Sequence, residues 1–206
     1  YLTPRNKPRL AGRKLMSAQG RKLELTALAG VPLVQPGDDL ASIISNALEP
    51  SRISPAAGDV LVLAQKIVSK AEGRYVVLSD IEPSSRALQL AKLTRKDARL
   101  VEVILRESRE VIRARADVLI VEHRLGYILA NAGVDASNVG DEGRVLLLPE
   151  DSEASCARLS KALQQRYSVN IGVLINDSWG RAWRMGTVGA ALGVAGVPAP
   201  ARPCES

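Results

Sequence analysis

Residues 117–139, DVLIVEHRLGYILANAGVDASNV, hold two apolar runs of strand length around HRL, followed by a cluster of short polar side chains. DVLIVE and GYILA read as the two strands of a hairpin. Upstream, residues 84–112 read as helix in two segments, broken near Thr94–Asp97. Downstream, VLLLPED leads into a helix over 152–166, where Cys156, Leu159 and Leu163 share a face. Two strands in succession interrupt any strict βαβ order. The sequence therefore predicts an α+β arrangement of mixed sheets with helices, rather than a doubly wound sheet.

The other elements fit that frame. LELTAL (23–28) reads as a first strand, and GVPLVQPGDD as a Pro/Gly loop whose last Asp caps a helix. In that helix Leu40, Ile43, Ile44, Ala47 and Leu48 recur at helical spacing on one face. GDVLVLAQ and SVNIGVLIND are continuous apolar runs, expected to be strands buried on both faces. YVVL reads as a further short strand. The glycines at 186, 189, 193 and 196 fit either close backbone packing or small residues beside a turn.

Composition narrows the function classes. No apolar run approaches the roughly 18 residues of a membrane helix, and the longest candidate, VGAALGVAGV, is too short. Cys156 and Cys204 make neither a disulfide framework nor a four-cysteine metal site, so a reducing cytoplasm is the expected location. With His123 as its single histidine, the chain is a poor candidate for zinc chemistry or Ser-His-Asp hydrolysis. His123 is read as a polar residue at a strand end, without a role. The net charge of +6 invites a nucleic-acid partner, but its distribution argues against one. Arg5, Lys7, Arg9, Arg13, Lys14, Arg21 and Lys22 fall in an acid-free stretch, and the rest of the chain is nearly neutral. Residues 1–22 are expected to be a disordered basic arm, with Met16 as the natural start.

Three apolar runs end in polar clusters: AQKIVSK, NAGVDASN and NDSWGR. Loops held by a rigid sheet often carry functional groups. Here they would carry Lys66, Lys70, Asp135, Asp177, Ser178 and Arg181. Two carboxylates and a hydroxyl form a hard-oxygen set suited to Mg²⁺ or Mn²⁺, and lysines suit the phosphates such a cation accompanies. The same residues also read as a turn former (Asp135), a cap (Asp177) and solvated charges (Lys66, Lys70), so residue types alone leave both accounts open. The GxxxxGK[ST] loop is absent.

Six stretches then occur in order: GVPLVQPGDDL, GDVLVLAQKIVSKAEGR, PSSRALQLAK with KDARLVEVILRES, ANAGVDASNV, LLLPEDSEAS and NDSWGRAWRMGTVGAALGVAG. Together, over residues 23–197, they resemble the F420-0:γ-glutamyl ligase family, which adds glutamate to a deazaflavin cofactor precursor. The resemblance implies a distinctive fold in an intertwined homodimer. It also implies GTP and a divalent cation as reaction partners, with amide formation through an acyl phosphate. Transferred residue by residue, it implies nucleotide contacts at Val31, Pro32, Leu33, Val34, Gln65, Lys66, Lys70 and Asn138. It implies metal ligation by Asp135 and Asp177, with Ser178 as a further ligand where members often carry Thr.

One departure accompanies the match. Members continue past GVAG with a segment completing the nucleotide pocket and supplying another metal ligand, whereas here VPAPARPCES follows, a Pro-rich tail over 198–206. The expectation from this is poor ligation, with weak binding of nucleotide or deazaflavin without turnover as the alternative. A nucleic-acid binder using the basic arm is the third reading.

Overall fold

The computed structural model of the chain describes residues 22–136, 143–180 and 185–197. Residues 1–21 of the basic arm, the Pro-rich tail, Asn138 and Arg181 lie outside them. In chain order the elements are α1 (Leu40–Leu48), β1 (Val60–Ala64), α2 (Gln65–Ala71), β2 (Tyr75–Val77), α3 (Ser85–Thr94), α4 (Ala98–Arg106) and β3 (Ser108–Arg115). There follow β4 (Val118–His123), β5 (Ile128–Ala130), β6 (Arg144–Leu146), α5 (Ser152–Tyr167), β7 (Gly172–Gly180) and β8 (Thr187–Ala195). The fold is α+β. One sheet is mixed, in the order β1-β7-β8, with β1 parallel and β8 antiparallel to β7. A second pairs β2 with β6, and a third is the antiparallel meander β3-β4-β5.

Helix starts follow the sequence closely. The Asp39 carboxylate accepts from the Ala41 N–H at 3.1 Å and from the Ser42 hydroxyl at 2.6 Å, opening α1. Arg95 adopts a left-handed conformation (φ 58°) that ends α3, and Asp97 caps α4 by accepting from the Arg99 N–H at 2.8 Å. The expected break near Thr94–Asp97 is therefore real. Helix α5 begins at Asp151, which accepts from the Ala154 N–H at 2.9 Å.

Five expectations need correction. LELTAL forms no strand: Leu23 and Leu25 stand 84% and 85% exposed, because no neighbouring strand offers the segment a ladder. β1 is not buried on both faces; it is an edge strand, with Val60 and Val62 outward. The helix expected to reach residue 112 stops at Arg106, where the Ser108 hydroxyl donates back to Ile104 O at 2.5 Å. Residues 108–115 then join the hairpin as β3. KIVSK is helix rather than loop. Finally, NDSWGR continues β7 as far as Gly180, and most of VGAALGVAGV lies in β8.

Two main cores result. Ile44, Leu48, Leu63, Cys156, Leu159, Leu163, Val173, Ile175 and Leu192 pack between α1, α5 and the mixed sheet. Ala87, Leu90, Val101, Ile104, Leu119 and Val121 pack between α3, α4 and the meander. On the first, close backbone packing accounts for Gly193: a Cβ there would overlap the Ser152 carbonyl and lie 2.8 Å from Glu153 N. β8 thus seats the start of α5 directly on its backbone.

Glu107 joins the two halves. Its carboxylate takes Arg74 at 3.1 Å and Arg124 at 3.2 Å, and the Nε2 of fully buried His123 lies 3.6 Å away. Arg74 also donates through Nε to Leu148 O at 3.0 Å. Burial alone would raise the Glu107 carboxyl, but His123 and the charges of Arg124 and Arg74 outweigh it and hold the group below its usual range.

A carboxyl with a lowered folded-state pKa contributes stability above its unfolded value and loses it as pH falls through the folded one. Glu107→Gln is expected to cost about 3 kcal/mol at pH 7 in chemical denaturation, with the difference from wild type shrinking below about pH 4.3. A pH-independent difference would contradict the ion-pair account. Gly193→Ala is expected to lose about 1–3 kcal/mol by overpacking. Gly180→Ala, whose new Cβ meets nothing within 4 Å, serves as the neutral control.

Candidate functional site

β1 turns into α2 without a spacer, and Ala64, its last residue, pairs with Asn176 on the parallel β7. Ligands favour the space beyond the carboxyl ends of parallel strands, where side chains from successive turns converge. Gln65 and Lys66, in the first turn of α2, therefore stand beside Asn176, Asp177 and Ser178. Opposite this point the pairing register shifts: Ile175 pairs with Gly193 but Asn176 with Ala191, which leaves Leu192 of β8 as the extra residue of a bulge.

Asp135 arrives from the other half of the molecule. Residues 131–133 form a short 3₁₀ turn in which Asn131, Ala132 and Gly133 all have positive φ (53°, 54° and 68°). A Cβ on Gly133 would lie 2.8 Å from the Leu148 side chain, so this turn needs glycine on both counts. Asp135 then pairs with Leu146, its N–H donating at 3.0 Å and its carbonyl accepting at 2.8 Å. That bridge fixes the backbone from which the carboxylate reaches Lys66.

The result is a cleft of about 340 Å³ lined by Ala64, Gln65, Lys66, Asp135, Asn176, Asp177 and Ser178. Lys66 Nζ forms an ion pair with Asp135. The Ser178 N–H donates to Asp177 Oδ1 at 2.8 Å. Burial pushes the Asp177 carboxyl up and the nearby Asp135 charge adds to this, against the opposing effects of the Ser178 N–H and the Lys66 charge. Two carboxylates thus face one space with one lysine between them, a local excess of negative charge that a divalent cation would relieve.

Five of the sequence-predicted residues meet here: Gln65, Lys66, Asp135, Asp177 and Ser178. Lys70 sits one turn further along α2, half-buried and outside the cleft lining. Pro32 and Leu33 are exposed, Val34 is buried in the fold, and Val31 lines a separate hollow of about 870 Å³ walled mainly by apolar side chains such as Leu40, Val62 and Ile67. The structure does not bring residues 31–34 to the cleft. Asn138 lies outside the described residues. The sequence reading missed Asn176, although it directly precedes Asp177; its amide lies against Gly189, where a Cβ would come within 3.1 Å of Oδ1.

The donor set fits Mg²⁺ or Mn²⁺. Among the described residues no three His, Cys, Asp or Glu gather around one point, so the protein would supply Asp135, Asp177 and the Ser178 hydroxyl, and water or phosphate oxygens would supply the rest. Magnesium is commonly held in this manner, by one or two carboxylates plus substrate phosphates.

The model of the family described as F420-0:Gamma-glutamyl ligase matches residues 30–204. The coenzyme F420:L-glutamate ligase of Methanothermobacter thermautotrophicus is 44% identical over 175 residues, covering 85% of this chain and 69% of that protein. The Methanopyrus kandleri protein of the same name is 47% identical over 171 residues, 82% of this chain and 66% of its own length. That from Archaeoglobus fulgidus is 40% identical, with 86% and 69% covered. The aligned part of the chain thus spans about two thirds of the length of these relatives. No helix among the described residues is long and apolar enough to cross a membrane. On the family match over residues 30–204 and the identity to these relatives, the chain belongs to the F420-0:γ-glutamyl ligase family.

Proposed function

We propose that this cleft binds a divalent cation, Mg²⁺ or Mn²⁺, with the phosphates of GTP, and supports formation of an amide between L-glutamate and the coenzyme F420 precursor. One observation carries the reading: two carboxylates from separate halves of the molecule, Asp135 and Asp177, converge on a space that also holds Lys66 and Ser178. Relatives bearing the name coenzyme F420:L-glutamate ligase supply the substrate class.

In this reading the precursor's carboxylate oxygen attacks the γ-phosphorus of GTP and GDP departs. The acyl phosphate formed is then attacked at its carbonyl carbon by the glutamate amine. Phosphate leaves, and the amine gives up a proton. A bound cation would spread the charge of the transferring phosphoryl group. Asp135 and Asp177 would hold that cation, and Ser178 would add a neutral oxygen. Lys66 contributes positive charge that does not have to be recruited from solvent as the phosphoryl group moves. Lys70 and residues 31–34 remain nucleotide contacts in this proposal, reached from outside the cleft proper. The homodimer belongs to the same reading, supported by the open edge of β1 with its exposed Val60 and Val62. No membrane or nucleic-acid partner is invoked.

The direct test is formation of glutamylated coenzyme F420 from precursor, GTP and L-glutamate, with each cation supplied in turn. For the cation site, Asp135→Asn and Asp177→Asn are each expected to weaken Mn²⁺ binding by about 1–3 kcal/mol in calorimetric titration. Unchanged affinity in both would rule out a shared site. The two variants should part in stability. Because the Asp177 carboxyl is pushed up, its ionised form is held less favourably in the folded protein than in the unfolded chain. Asp177→Asn is therefore expected to raise the cation-free melting temperature at pH 7, whereas Asp135→Asn, which loses the Lys66 ion pair, is not. A lowered midpoint for Asp177→Asn would contradict the charge-excess picture.

A further inference from the structure

Helix α2 carries a buried polar pair that the chemistry above does not use. Gln65 is 3% exposed and Ser69 fully buried, one helical turn apart on the same face. The Ser69 hydroxyl donates to Gln65 Oε1 at 2.9 Å. A primary amide is planar, so engaging its oxygen fixes where its nitrogen goes. Among the described residues the Gln65 nitrogen has no hydrogen-bond partner, and Gln65 lines the cleft beside Lys66 and Asp177.

We propose that Ser69 is a positioning residue: its hydroxyl locks the Gln65 amide so that N–H donors, and not the carbonyl oxygen, face the cleft and bind a phosphate oxygen. The inference rests on the nucleotide reading of the site. Shielded from water, the Ser69 hydroxyl donates to the Gln65 side chain and not to a main-chain carbonyl one turn back, as Ser45 and Thr94 do, so the amide is oriented before any ligand arrives. Without Ser69 the amide can flip, and half of its orientations present an acceptor lone pair to an anion. The QxxxS spacing is thus a specificity device: the donors at this end of the cleft select an anionic oxygen, and the adjacent carboxylates discourage one that arrives without its cation.

The test is a double-mutant cycle on affinity for GTP and for inorganic triphosphate, both with saturating Mn²⁺, together with Mn²⁺ titrated alone. Ser69→Ala and Gln65→Ala are each expected to weaken both phosphate ligands about three- to tenfold and to leave Mn²⁺ affinity unchanged. In the Gln65→Ala background, Ser69→Ala should add no further loss, an outcome that a merely structural role for Ser69 would not produce. Gln65→Glu keeps an acceptor for Ser69 but puts a carboxylate oxygen where the donors were, and should bind more weakly than Gln65→Ala. Wild-type-like binding by Ser69→Ala, or losses that multiply in the double variant, would overturn the proposal. Failure of the wild-type chain to bind either phosphate ligand would overturn the nucleotide reading and this inference with it.

Discussion

The fold turns on one buried carboxylate. An ionised group removed from water is tolerated only when paired, and Glu107 meets that condition by drawing on distant parts of the chain. Arg74 follows α2, Arg124 lies in the β4–β5 turn, and Glu107 itself ends α4. Arg74 simultaneously holds the 147–148 segment, through its carbonyl to Leu147 N at 3.0 Å and its side chain to Leu148 O. That segment continues β6, whose Leu146 is the bridge partner of Asp135. A charge cluster away from the cleft therefore determines where one of the two cleft carboxylates stands.

Electrostatics in the cleft follow the opposite logic. Glu107 has more positive partners than it needs, and its carboxyl is held down. Asp177 has fewer, and its carboxyl is pushed up. The first pattern is that of a group whose work is structural, and the second is what the proposed cation site calls for. Lys66 mediates between them in position, since it begins the same helix that Arg74 follows. Its ion pair lies with Asp135, and among the described residues Asp177 is served by the Ser178 N–H and the charge of Lys66.

Local features were largely legible in the sequence, and long-range ones were not. Asp39, Asp97 and the 94–97 break could be read because caps and left-handed stops are decided by a few adjacent residues. The helix at 152–166 and the hairpin around HRL could be read from periodicity. LELTAL failed because an apolar–polar alternation shows that a segment could pair, not that a partner is present. VGAALGVAGV failed for the reverse reason: its glycines hide a strand whose smallness serves the α5 backbone at Ser152, a contact some 40 residues away in sequence. In the cleft, Asp135, Asp177, Ser178 and Lys66 were legible as polar clusters following apolar runs, and the structure brings them together. Asn176 was not, since one amide in a polar cluster carries no signal of direction until the pairing of β7 with β1 and β8 places it.

The left-handed turn at 131–133 has a consequence for how the molecule as a whole responds to its ligands. Val134, next to Asp135, packs with the core of α4 and the meander, whereas Lys66 and Asp177 ride on elements of the mixed-sheet core. The cleft consequently lies where the two cores adjoin, and the Lys66–Asp135 ion pair crosses it. Anything that bonds to both sides at once acts as a rivet, and its binding free energy adds to the cohesion of the halves by mass action. Because the turn is held against Leu148 with no room for a Cβ, Asp135 has little slack of its own. Leu148 belongs to the mixed-sheet core, so the turn ties Asp135 to the packing that carries Asp177 and sets the spacing of the two carboxylates.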